Sequence, residues 1–173
     1  EVLETKLSDP MRGKEIYQTI LTEDPGHLRA GDQVASILER MGDFLALVQL
    51  LEQRAEARRG PEKADAFARV AEVYEDHLND LATATQRYEE ALAVDHGNLA
   101  ALKGLDRIFN RTGRYSELLG VLERQIAVAA TPRQKINLYE RMASLYDEEF
   151  LDHERAAEAL EAVLRLDTTS DNA

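Results

Sequence analysis

Residues 67–96 read FARVAEVYEDHLNDLATATQRYEEALAVDH, and this stretch decides the architecture. Its apolar residues recur three and four places apart: Phe67, Val70, Ala71 and Tyr74, then Ala84, Tyr88, Ala91 and Leu92. At 3.6 residues per turn, each set lies along one face of a helix. Asp80 stands just before the second set, where a carboxylate can accept from the unpaired N–H groups of a first turn. The stretch therefore predicts two helices joined by a short turn. No part of the chain shows the sustained alternation of a strand.

The unit recurs. Shifting the chain by 71 places residues 1–61 on residues 72–132, and 18 of the 61 pairs are identical. Chance would give about four, taking roughly one match in fifteen, and such self-similarity is the signature of repeat architectures. Tyr17 meets Tyr88, Leu21 meets Leu92, Asp24 meets Asp95 and Gly26 meets Gly97. Arg40 and Gly42 meet Arg111 and Gly113, Leu51-Glu52 meets Leu122-Glu123, and Pro61 meets Pro132. With one extra residue the register continues, placing Tyr74 on Tyr146, Asp80 on Asp152, Ala84 on Ala156 and Asp95 on Asp167.

Punctuation divides each 71–72-residue unit into two helix pairs. Asp9-Pro10, Gly60-Pro61 and Thr131-Pro132 put proline where a helix begins and its missing N–H costs nothing. Gly42 and Gly113 follow helical runs and suit a left-handed terminal residue. Helices are expected near 10–23, 27–41, 44–58, 61–77, 80–94, 98–111, 114–129, 132–149 and 152–166. The chain reads as one segment, 1–173, with pairs at 27–58, 61–94, 98–129 and 132–166 and residues 1–23 as the remainder of a preceding pair. Glu1-Val2-Leu3-Glu4 corresponds to Glu72-Val73-Tyr74-Glu75 and residues 170–173 to 98–101, so both ends read as cuts inside repeats.

These residues resemble the tetratricopeptide repeat, whose pattern is Trp-x2-Leu-Gly-x2-Tyr on a first helix, then Ala-x3-Phe and Pro around a second. Phe67 takes the tryptophan place, Val70-Ala71 the Leu-Gly place and Tyr74 the tyrosine place, with Ala84 and Tyr88 following. Tyr139, Met142-Ala143, Tyr146, Ala156 and Leu160 repeat the arrangement. The pairs at 27–58 and 98–130 keep the glycine turn but put Val34 or Leu105 where a small residue is usual. The resemblance implies an all-α, right-handed solenoid of stacked antiparallel hairpins with about nine helices. It also implies a protein-interaction scaffold that takes a peptide or helix on its concave face, rather than an enzyme. A structural spacer or self-association segment of a longer array, and a regulatory module of a larger enzyme or signalling protein, are the alternatives.

Composition narrows the classes. Hydrophobic residues make up 44% and charged residues 31%, which suits a folded helical chain. A net charge of −12 disfavours nucleic acid as partner. No run is long and apolar enough to span a bilayer and no signal peptide is visible, which leaves the compartment open with the cytoplasm slightly favoured. The chain has no cysteine, which removes disulfides, thiolate zinc sites and cysteine nucleophiles.

His27, His77, His96 and His153 fall at helix ends or turns without the spacing of a metal motif, although His153 stands beside Asp152 and Glu154. Glu89-Glu90 and Asp147-Glu148-Glu149 are consecutive acids that point in different directions on a helix. No nucleophile elbow or phosphate loop is present. Neither a cofactor nor a metal is expected.

The family's groove is lined by first helices. Two residues past each tryptophan-like place stand Asp32, Arg69, Lys103 and Arg141, of which three are basic. Glu72, Asp106 and Asp147 lie beside them, with Glu39 and Glu75. The expected partner-binding surface is therefore Arg69, Glu72, Lys103, Asp106, Arg141 and Asp147, docking an acidic segment. The competing expectation is internal pairing, as Arg69 could make with Glu72 or Asp65. Family members that clamp acidic chaperone tails use asparagines, and those places hold Ala35, Glu72, Asp106 and Ser144 here. Carboxylates there would repel such a tail. End-to-end self-association is a further expectation, since cut repeats leave apolar faces uncovered.

Overall fold

A computed structural model describes residues 10–23 and 27–170. The repeat matches at Asp24 and Gly26, and the readings of residues 1–9 and 171–173, lie outside the described residues. Nine helices occupy the described chain, with no strand among the described residues: α1 Pro10–Glu23, α2 Leu28–Met41, α3 Phe44–Glu56, α4 Gly60–Asp76, α5 Leu81–Val94, α6 Leu99–Thr112, α7 Tyr115–Val128, α8 Pro132–Glu148 and α9 His153–Ser170. The expected bounds agree within about two residues at nearly every end. Contacts divide the chain into two compact units, Glu1–Val94 and Asp95–Ala173.

Local chemistry explains the breaks. Gly42 and Gly113 adopt φ of 71° and 67°, and each N–H returns to a carbonyl of the helix it closes. A left-handed residue without Cβ costs little there. His27 accepts from the Ala30 N–H at 3.1 Å, and Asn98, its repeat counterpart, accepts from Ala101 at 3.0 Å. Thr131 and Gln134 form a reciprocal capping box on α8. Asp80 and Asp152 accept from the backbone N–H groups of Thr83 and Arg155, as their sequence positions predict.

In the first unit, α1 packs on α2, α2 on α3, α3 on α4 and α4 on α5. Val34, Leu38, Leu47, Val48, Val70 and Val73 form a buried cluster, flanked by Tyr17, Leu21, Phe44, Leu51 and Tyr74. Ala71 and Ala84 are fully buried, and their small side chains let α4 and α5 approach. Tyr88 is also fully buried, and its hydroxyl donates to Glu75 at 2.9 Å. Glu75 thus belongs to the packing of this hairpin, which corrects its place beside the groove. The His77 ring stacks on Phe44, with centroids 4.0 Å apart.

The second unit repeats the plan, with α6 on α7, α7 on α8 and α8 on α9. Leu102, Leu105, Ile108, Leu118 and Leu122 form its buried layer. The extra residue of the repeat is taken up between Pro132 and Tyr139, counting from the paired prolines to the paired aromatics. No helix among the described residues is long and apolar enough to cross a membrane.

Candidate functional site

The six sequence-derived surface residues fall into separate local arrangements. In the first unit, Arg69 on α4 bonds Glu72 one turn along at 3.3 Å and reaches Glu39 on α2. Burial works against its charge, but the two carboxylates outweigh it and hold the guanidinium more firmly protonated than usual. The Glu72 pairing follows from helix spacing. The Glu39 partner comes from a neighbouring hairpin and has no local sequence signal.

Arg69 lines a cleft of about 310 Å³ with Asp32, Glu39, Arg54, Arg58 and Asp65. Arg54 crosses it to meet Asp32 at 2.8 Å. The Arg54 guanidinium rests over Gly31, where an added Cβ would come within 2.6 Å of it. Asp32, the one acidic member of the expected basic series, is thereby matched by an arginine from α3. This cleft is balanced, with three acids facing three arginines.

The second unit is built differently. Arg141 on α8 makes a two-pronged pair with Asp106 on α6, at 2.8 and 2.7 Å. Gln125 on α7 adds a bond to the same carboxylate at 3.0 Å and another to the Leu102 carbonyl at 3.2 Å. Burial pushes the Asp106 carboxyl upward, and the Arg141 guanidinium and Gln125 amide overcome it, leaving it below the ordinary carboxylate range. Asp106 therefore clamps three helices.

The Lys103 side chain, one turn before Asp106, has neither ion pair nor hydrogen bond among the described residues. With Arg141 it lines a second cleft of about 320 Å³, walled by Leu99, Val128, Leu138 and Gln125. Leu99 is 53% exposed and Val128 38%. These apolar walls escaped sequence reading because a leucine just after a cap and a valine at a helix end look like ordinary core positions. Gln125 stands where the first unit has Arg54, and Lys103 where it has Asp32. The plug of the first cleft is thus missing from the second.

Asp147 joins neither cleft. It meets His153 at 2.6 Å where α8 gives way to α9. Among the described residues no three His, Asp or Glu side chains gather as a metal site. Of the expected surface, the structure therefore brings Lys103, Asp106 and Arg141 together, keeps Arg69 with Glu72 in the other unit, and sets Asp147 apart.

Residues 101–136 match the tetratricopeptide repeat family model. The match begins in α6, spans α7 and ends in the first turns of α8, so it falls on a pair that departs from the Leu-Gly spacing. Solved structures are similar over nearly the whole chain. A crystal structure of MamA is 14% identical, covers 99% of this chain and 95% of its own, and superposes with a TM-score of 0.62. A Podosopora anserina kinesin light chain with nearly identical TPR-like repeats is 17% identical, covers 96% and 100%, and gives 0.57. BtubC from P. vanneervenii is 19% identical, covers 98% and 75%, and gives 0.54. No curated protein matches the chain in sequence.

Proposed function

The chain has a tetratricopeptide-type helical-repeat fold, and from that premise we propose that it binds a peptide or helical segment of another protein without catalysing a reaction. The cleft between α6, α7 and α8 carries the proposal. It pairs exposed apolar walls with Lys103, whose side chain makes no ion pair among the described residues. A segment presenting a carboxylate next to an apolar side chain would satisfy both features. Arg141 contributes less to recognition than its charge suggests, because Asp106 already holds both prongs of its guanidinium.

Panning a random peptide library on the purified chain tests this reading. Enriched peptides should carry an acidic residue beside an apolar one, and Lys103→Glu should weaken them about tenfold, in line with loss and reversal of one charged contact. Arg69→Glu in the other unit should leave those peptides bound. Identical enrichment on wild type and Lys103→Glu would remove the cleft from the account.

A second reading rests on α9. Leu160 and Leu164 are 48% and 64% exposed, whereas their repeat counterparts Tyr88 and Leu92 are buried. An uncovered apolar stripe of this kind suits association with a second copy of the chain.

A further inference from the structure

The internal repeat supplies a comparison between equivalent places in the two units. In the first unit, Arg87 on α5 sets its guanidinium between Glu52 on α3, at 2.6 Å, and Glu90 on its own helix, at 2.7 Å. Tyr74 on α4 stands close enough for its hydroxyl to feel the charges of both Glu52 and Arg87. One arginine thus fills the space where three helices meet.

The second unit keeps one of the two carboxylates, has Ala162 at the place of Glu90, and lacks the arginine. Glu123 stands at the place of Glu52, Tyr146 at that of Tyr74 and Met142 at that of Val70, while Ala159 replaces Arg87. An alanine leaves the space unfilled. A cleft of about 440 Å³ lies there, lined by Glu123, Tyr139, Met142, Tyr146, Glu158 and Ala159 together with Arg155. The carboxylates of Glu123 and Glu158 have no ion pair or hydrogen bond among the described residues. Arg155 is engaged at the rim, 3.5 Å from Asp152 and with its guanidinium 5.7 Å from the centre of the Tyr146 ring. Two carboxylates against one guanidinium leave the lining with one unit of negative charge. Beside Glu123 a Cβ added at Gly120 would meet nothing within 4 Å, so the approach is open.

We propose that this cleft between α7, α8 and α9 receives an arginine side chain from a partner protein, taking the place that Arg87 fills in the first unit. Glu123 accepts from the guanidinium, as Glu52 does from Arg87. The Tyr139 ring offers a surface on which a planar cation packs, while Tyr146 already carries Arg155. A lysine ammonium lacks both the flat face and the paired donors, so it fits less well. The site lies on a different face of α8 from Arg141, and so is separate from the Lys103 cleft.

The probe is N-acetyl-arginine N-methylamide, with its lysine and citrulline analogues, titrated against the chain labelled at methionine and alanine methyl groups. The arginine compound should shift the Met142 and Ala159 signals saturably, the lysine compound should bind more weakly, and neutral citrulline should not bind. Glu123 is exposed, so Glu123→Gln leaves the fold intact and should weaken the arginine compound about tenfold, the expected loss for a charged hydrogen bond. Ala159→Arg should refill the cleft and abolish binding. Lys103→Glu should change nothing at Met142. The proposal is overturned if wild type shows no saturable shift at Met142, if Glu123→Gln binds as wild type does, or if Lys103→Glu removes the effect.

Discussion

Leu151 holds a conformation that its side chain does not favour. Its φ of 52° lies in the left-handed region, matching the φ of 50° at its counterpart Asn79. Asparagine tolerates that region, whereas a leucine Cβ crowds the following carbonyl at a cost of about 1–2 kcal/mol. Leu151 is 74% exposed, so little packing offsets the cost. Leu151→Asn should stabilise the chain by about 1 kcal/mol, read as a higher urea midpoint with unchanged slope. An unchanged or lower midpoint would mean that the leucine makes a compensating contact. His27 offers a milder case of the same kind. Its ring caps α2 where Asn98 caps α6, and asparagine is among the strongest caps. His27→Asn should raise the midpoint by a few tenths of a kcal/mol to about 1. The caps at Asp80 and Asp152, the glycine turns and the aromatic positions were legible because each depends on one residue and its neighbours. The left-handed Leu151 was not, since a leucine gives no local signal for it.

At the scale of elements, the limit of sequence reading is the partner on another helix. Arg69 with Glu72 could be read from spacing, but Glu39 could not, nor could the bond from Arg141 to Asp106. Asp106 ties α6, α7 and α8 through Arg141 and Gln125, so its charge should matter to the stability of the second unit. Its folded pKa lies below its unfolded value of about 3.9. The charged form is therefore favoured by folding: its contribution is present above that unfolded value and is lost as pH falls through the folded one. Half-exposed Arg141 limits the loss in Asp106→Asn to about 1 kcal/mol at pH 7. The gap between variant and wild type should narrow as pH falls below about 4. Urea titrations at pH 7 and pH 3 check this, and an equal gap at both would assign the loss to packing rather than to charge. The clefts were illegible for the same reason as these pairs. Leu99 and Val128 belong to a wall only once α6 and α7 are set against α8.

At the scale of the whole molecule, the repeat accounts for the fold, and several departures from it fall at the proposed binding clefts. Where the copies agree, at Tyr17 and Tyr88, Gly42 and Gly113, or Glu52 and Glu123, they preserve helix packing, turns or a carboxylate. Where they differ, charge or volume has changed at a cleft: Asp32 against Lys103, Arg54 against Gln125, and Arg87 against Ala159. On α9, Leu160 and Leu164 are exposed where Tyr88 and Leu92 are buried. Two leucines one turn apart form an apolar stripe, which water disfavours by about 25 cal/mol per Å². Covering it with the same stripe of a second copy should give a weak, concentration-dependent dimer, because so small a contact barely offsets the entropy of association. The weight-average mass from light scattering should therefore rise with concentration, and Leu160→Lys with Leu164→Lys should return it to the monomer value. Both side chains are exposed, so this double variant should unfold at the same urea concentration as wild type. A mass that stays monomeric into the millimolar range, or a dimer that survives the double substitution, would take α9 out of self-association.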